Sequence, residues 1–157
     1  MKISSKARHA IQSMLQLAMQ ADNRPLTLAE LTNQEGISAS YLEQLFANLR
    51  TAGFVEGVRG PGGGYRLALD VADISIGQII MAVHPTHLRR PPPSGYEISI
   101  YNDMWWDLSE TIYDFLLQIS LSDLMEREDV QRHIHQQRLF QGMKPKVDEV
   151  DKLQKRA

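Results

Sequence analysis

The sequence predicts a mainly α fold: a winged helix-turn-helix with a two-stranded β-hairpin wing, followed by a long C-terminal helix. Three observations carry this. Apolar residues recur at spacings of three and four from Ser5 to Ala52, interrupted by capping and glycine signals. The stretch VRGPGGGYRLA, Val58 to Ala68, places a proline and four glycines between two short β-type runs. Further on, Asp103 to Ile119 carries a broad apolar stripe at helical spacing.

Each element follows in order. Ala7, Ala10, Ile11, Met14, Leu15, Leu17 and Ala18 form one face of a helix over Ser5 to Ala21, ended by Asp22-Asn23-Arg24-Pro25. Thr27 and Glu30 have capping-box spacing and start a short helix to about Gln34, with Gly36 suited to the C′ position. Ser38 starts the next helix, to Ala52. Tyr41, Leu42, Leu45, Phe46 and Leu49 form its core side, and Gly53 stops it. Phe54 to Val58 and Gly64 to Leu69 read as two strands of a hairpin with a wide glycine tip. Two helices joined by a short turn, with a hairpin directly after, make a winged helix-turn-helix over residues 1–83. Ser75 to Val83 is its last helix.

Residues 84–102 contain His-Pro, Arg-Arg-Pro-Pro-Pro and Ser-Gly, which predicts a loop. Residues 103–135 read as helices, the second begun by Ser120 and Asp123 and running to about Arg132. The Gln-rich, charged segment 136–157 is expected to be a disordered tail. No internal repeat appears.

Composition bounds the function. The chain has 157 residues, 43 % of them hydrophobic, enough for one domain with a core. It has no cysteine, which excludes disulfides, thiolate metal sites and cysteine nucleophiles. No run of eighteen apolar residues is present, and MKISSKARHA lacks the apolar segment of a signal peptide, so a cytoplasmic protein without membrane contact is expected. The net charge is −2, but residues 1–70 hold seven Lys/Arg against six Asp/Glu and residues 71–157 hold ten against thirteen. Any anion-binding face is therefore expected in the first half.

The run LAELTNQEGISASYLEQLFANLRTAGFVEGVRGPGGGYRLA, with SSKARHAI ahead of it, resembles the iron–sulfur cluster regulator (IscR) type of bacterial winged-helix transcription factor. WWDLSETIYDFLLQISLSDLM resembles that family's dimerisation helix and the helix after it, so the likeness covers about the first 130 residues and leaves the tail out. The resemblance implies a homodimer whose recognition helices enter successive major grooves of a palindromic operator in double-stranded DNA, with the wings at flanking minor grooves.

The residues themselves suit that chemistry. A wing tip of Gly60, Pro61, Gly62, Gly63 and Gly64 carries no bulk and can approach a duplex closely, and Arg59 supplies a cation for a narrow groove; a plain hairpin turn is the simpler use of the same glycines. On the Ser38 helix, Ser38, Ser40, Tyr41, Glu43, Gln44 and Arg50 are the candidate contacts. Gln44 suits adenine, while Glu43 accepts from cytosine and repels phosphate, enforcing sequence choice. The same residues also suit a solvated helix face, and Tyr41 suits core packing equally well. Ser4, Ser5, Lys6 and Arg8 open the first helix as a phosphate clamp, or as a cap with surface charges. Met104, Trp105, Leu108, Ile112, Phe115, Leu116 and Ile119, widened by Trp106, Tyr113 and Leu117, form a stripe too broad for one domain to cover, which a symmetric partner covers.

The chain departs from the family it resembles. Members hold a cluster with three cysteines and a histidine before the dimer helix. Judged by the distance to Trp105, the last cysteine position here is Ser99 and the histidine position Asn102. Without thiolates no iron–sulfur cluster is expected, and no cofactor. His84 and His87 in the loop, and His133 and His135 beyond it, read as ordinary surface histidines rather than a metal site. No phosphate-binding glycine motif lies between a strand and a helix, and no nucleophile–base pair is visible, so no catalytic residue and no enzyme is expected. The reading is a sequence-specific, homodimeric transcription regulator acting as a repressor. The alternatives are a regulator sensing a small molecule or metal through residues 84–102, and a winged-helix protein-interaction adaptor.

Overall fold

A computed structural model describes residues 4–35, 37–84 and 100–142. The order is α1 (Ser5–Ala18), a 3-10 turn (Ala21–Asn23), α2 (Leu28–Glu35), α3 (Ala39–Thr51), β1 (Val55–Val58), β2 (Gly64–Leu67), α4 (Ile76–Val83), α5 (Ile100–Leu117), α6 (Leu121–Met125) and α7 (Glu128–Gly142). The winged helix-turn-helix is present as predicted. The chain divides into two units, Met1–Met125 and Glu126–Ala157.

Local capping chemistry sets most helix starts. Ser4 caps α1, Ser38 caps α3 through the Tyr41 N–H, and Ser75 caps α4 in a full capping box with Gln78. Glu30 N–H donates to Thr27 Oγ1 at 3.2 Å while Thr27 N–H donates to Glu30 Oε2 at 2.8 Å. Ser120 and Asp123 close the same box ahead of α6. In both boxes the acidic side chain is held below the usual carboxylate range, first of all by the N-cap backbone N–H, with the N-cap hydroxyl adding to it and burial opposing; at Glu30 the Arg24 guanidinium lowers it further. A carboxylate depressed in the folded state stabilises above its unfolded pKa and loses that contribution as pH falls. We therefore expect Glu30→Gln and Asp123→Asn to melt earlier than the parent at pH ~7, with the difference shrinking as pH falls through the acid range in which these carboxylates protonate. Thermal melts across that range check this.

The core is one cluster. Ala7, Ala10, Met14 and Leu17 of α1, Leu31 of α2, Leu42, Leu45, Phe46 and Leu49 of α3, and Ile76, Ile79, Ile80 and Val83 of α4 are buried together with Val55, Leu67 and Leu121. These are the apolar faces the spacing predicts; Tyr41, placed there too, is only half-buried. α1 packs on α4, α6 and β2, and α4 also packs on α3 and α5.

The wing is an antiparallel pair with Val55 opposite Leu67 and Val58 opposite Gly64. It gains a third, one-residue strand that the sequence does not announce: Leu26 bridges Tyr65, with N–H···O distances of 2.9 and 2.8 Å in the two directions. This contact dictates Gly64. A Cβ there would stand 2.3 Å from the Leu26 carbonyl oxygen, and its φ of +152° lies at the edge of what side chains adopt. At Gly63 a Cβ would meet the Val58 carbonyl oxygen at 2.3 Å. Half of the tip's glycine content is thus a packing requirement of the hairpin itself.

Several boundaries differ from expectation. α1 stops at Ala18 rather than Ala21, because Asp22 and Asn23 take positive φ and the Asn23 side chain bonds both the N–H and the carbonyl of Leu67. β2 ends at Leu67, not Leu69. α5 begins at Ile100, so residues 100–102 are helical and not part of the loop, and it ends at Leu117, where the chain turns into its joint with α4. The segment after Ser120 is two helices, and α7 continues to Gly142 through residues 136–142, which composition had assigned to the tail. Gly36, residues 85–99 with His87 and Ser99, and residues 143–157 lie outside the described residues, as do the side chains of Asn102 and His133.

Candidate nucleic-acid interface

α3 separates its two sides cleanly. Leu42, Leu45, Phe46 and Leu49 are buried, whereas Ser38, Ser40, Glu43, Gln44 and Arg50 are exposed. Glu43, Gln44 and Arg50 have no side-chain partner among the described residues, so their hydrogen-bonding capacity is open to a ligand. The Ser38 hydroxyl is committed to its cap and lies 3.4 Å from that of Ser40.

Two aromatic contacts fix where this face sits. The Tyr41 hydroxyl lies 3.3 Å from His9 Nδ1, and the rings meet edge-on at 5.6 Å, which ties the first turn of α3 to α1. Phe46 packs on Tyr65 of β2 with ring centroids 4.7 Å apart, which ties the middle of α3 to the base of the wing. α3 is therefore held from both flanks. Tyr41 is thus half-buried between α1 and α3.

At the N-terminus of α1, Ser5 and Arg8 are exposed and Lys6 is half-buried. Ser4 is more occupied than the sequence suggests. Its Oγ accepts from the Ala7 N–H at 3.1 Å and lies 2.5 Å from Nε2 of His84, the C-cap of α4. His84 thus contributes to a helix junction, a role for which no local signal exists.

On the wing the two arginines part company. Arg66 Nε donates to Glu56 Oε1 at 2.6 Å across the hairpin, so its charge is internally matched. Arg59 is exposed at the tip beside Gly60, Pro61 and Gly62 and has no ion-pair partner among the described residues. The tip presents one open cation on a backbone without bulk.

The long helix carries a second surface. Met104, Trp105, Leu108 and Phe115 expose 52, 59, 45 and 62 % of their area, all on one side of α5. Ile112 between them is half-buried, while Leu116 and Ile119 pack against the chain's own core. Of the residues expected to widen the stripe, Tyr113 is buried, Trp106 is half-buried and Leu117 is 37 % exposed. Four large apolar side chains in one stripe form a patch of the kind that marks an interaction surface. Covering one such side chain contributes roughly 1 kcal/mol or more at half its full burial.

Known proteins match this architecture. The family model Rrf2, described as an iron-dependent transcriptional regulator, matches residues 3–127. An HTH-type transcriptional regulator IscR of Vibrio atlanticus is 43 % identical over 136 residues, 83 % of this chain and 78 % of that one. The solved structure of T. potens IscR superposes with a TM-score of 0.68 at 33 % identity, covering 80 % of this chain and 87 % of that one. The structure of CymR, the global cysteine regulator of B. subtilis, gives a TM-score of 0.67 at 30 % identity, covering 79 % and 95 %. These relatives are transcriptional regulators, not enzymes. Among the described residues no helix is long and apolar enough to cross a membrane.

The donor set does not fit an iron–sulfur cluster. The chain has no cysteine, and a cluster of this kind is held by thiolates. Among the described residues no three His, Asp or Glu side chains gather closely enough to hold a metal ion in their place.

Proposed function

The chain belongs to the Rrf2 family of transcriptional regulators, and we propose that this DNA-binding regulator is a cytoplasmic homodimeric repressor of a palindromic operator, working without an iron–sulfur cluster. The observation that carries this is the combination, within one compact unit, of an open polar α3 face with an uncovered apolar stripe on α5.

Pairing two α5 stripes about a two-fold axis covers Met104, Trp105, Leu108 and Phe115 and presents two α3 helices to one duplex. A palindrome repeats its half-sites about one helical turn apart, roughly 34 Å, so a symmetric protein reads both halves alike. Ser40 and Gln44 contact base edges. Glu43 accepts from cytosine N4 and repels the wrong edges, lowering affinity in general and raising selectivity. Ser5, Lys6 and Arg8 sit at phosphates, and Arg59 lies in a flanking minor groove, best where A·T pairs narrow it. Repression requires only occupancy of the operator.

Glu43→Ala should broaden site preference. The affinity ratio between the preferred duplex and a random one should fall about fivefold to tenfold, with random-duplex affinity unchanged or higher. Identical selectivity in the variant would show that Glu43 is only solvated. The function itself is tested by selecting a duplex from a randomised pool and measuring its affinity from 50 to 200 mM salt. A palindromic product with steep salt dependence is expected. Failure to retain any duplex at low salt would favour the adaptor reading. Visible absorption from anaerobically purified protein would overturn the cluster-free assignment.

A further inference from the structure

α4 and α5 meet at a joint made largely of backbone. Ser75 and Ser120 are the N-caps of α4 and α6, each closed by its own capping box, and the two serines pair with each other in an isolated antiparallel bridge. Beside the bridge, Ile76 N–H donates to the Ile119 carbonyl and Leu121 N–H to the Ile74 carbonyl, both at 2.8 Å. The chain leaving α5 is thereby stitched to the chain entering α4. Next to these bonds sits the buried Gly77. A Cβ on it would stand 3.0 Å from the Leu117 backbone nitrogen and 3.0 Å from Leu117 Cγ and Cδ2. Its φ is outside the left-handed region, so what glycine supplies here is close approach and not conformation.

We infer that this joint sets the half-site spacing the protein accepts, with Gly77 as the residue that fixes its gap. The inference rests on the dimeric reading above. α4 packs on α1 and α3 and so moves with the DNA-reading face; it also packs on α5, which carries the partner face. The joint is where one frame is referred to the other. A side chain at Gly77 has backbone on the far side of the contact, which cannot rotate away as a flexible side-chain end can. The neighbour must yield by a few tenths of an ångström. α5 has 18 residues, a lever of about 27 Å, so a tilt of a few degrees at its end displaces the far end by about 1–2 Å. The axial rise of one base pair is about 3.4 Å. A methyl at Gly77 therefore shifts the two reading heads by a sizeable part of a base-pair step, and a larger side chain by more. Gly77 contacts no DNA in this scheme; it is a positioning residue.

The test uses duplexes carrying the two half-sites that the wild-type protein recovers from a random pool, with the spacer between them lengthened or shortened one base pair at a time, and a duplex carrying one half-site alone. Gly77→Ala and Gly77→Val should remain dimeric by sedimentation and bind the single half-site as the parent does. They should lose about tenfold or more on the parental spacing, and their ranking of spacers should change. Leu117→Ala in the Gly77→Ala background, which clears Cγ and Cδ2, should recover part of the loss. If Gly77→Ala does not fold, Leu117→Ala alone slackens the same contact and must alter the spacer ranking. A folded, dimeric variant with the parental spacer profile would overturn the inference. A wild-type protein that is monomeric, or that binds all spacers equally, would instead overturn the dimeric reading beneath it, and that is seen before any variant is made.

Discussion

Phe115→Glu is expected to turn the protein into a monomer and to remove at least a hundredfold of its affinity for a palindromic duplex. Phe115 exposes 62 % of its area and stands outside the core cluster, so one protomer does not depend on it for folding. Surface changes of that kind shift stability by only about 0.5 kcal/mol. In the proposed dimer the same residue would be covered, and an unpaired carboxylate there would cost several kcal/mol, with each lesion present twice by symmetry. The loss on DNA follows from valence. Once one head is bound, the second meets its half-site at a high effective concentration, and a monomer forfeits that gain without losing any direct contact. Sedimentation, a thermal melt and duplex titration separate the three effects. A Phe115→Glu protein that stays dimeric at micromolar concentration would remove the α5 stripe from the interface.

Arg59→Ala should weaken binding to all duplexes alike, by about tenfold, and lower the slope of log affinity against log salt by about 1 per wing. The reason is that Arg59 has no ion-pair partner among the described residues, so its charge is available to phosphates or a narrow groove. Arg66→Ala is the internal control. Its guanidinium is already matched by Glu56 at 2.6 Å, and an exposed pair of this kind is worth about 0–1 kcal/mol, so little change in affinity or salt slope is expected. Equal effects at both positions would mean that the wing acts through general charge and not through its tip.

The contrast between these arginines shows what the sequence discloses and what it withholds. Both flank the glycine run, and only the cross-strand register that places Glu56 opposite Arg66 distinguishes them. Features decided within four residues are legible: the Ser38 cap, the Thr27–Glu30 and Ser120–Asp123 boxes, and the buried faces of α1 and α3. Features decided across the chain are not. Nothing near Leu26 announces a bridge to Tyr65, nothing near His84 announces Ser4, and nothing near Gly77 announces Leu117. The end of α7, residues 136–142, is a different miss. Its polar composition resembles a tail, yet Gln, Arg and Leu are adequate helix formers, and Glu128 and Asp129 suit a helix N-terminus. In the stripe, periodicity groups seven apolar residues but cannot divide them. Leu116 and Ile119 turn out to serve the protomer's own core, while Met104, Trp105, Leu108 and Phe115 do not.

The missing cysteines frame the regulatory question. The chain keeps α3, the wing and the long helix but offers no thiolate to a cluster, and under the proposed function it would bind its operator in a form that no iron–sulfur cluster sets.

Counting chains on DNA tests this most directly. The mass of the complex formed on a selected palindromic duplex, measured by sedimentation beside the free protein, should show two protomers per duplex and the same two in solution. One protomer per duplex, or a free monomer that never pairs on DNA, would contradict it.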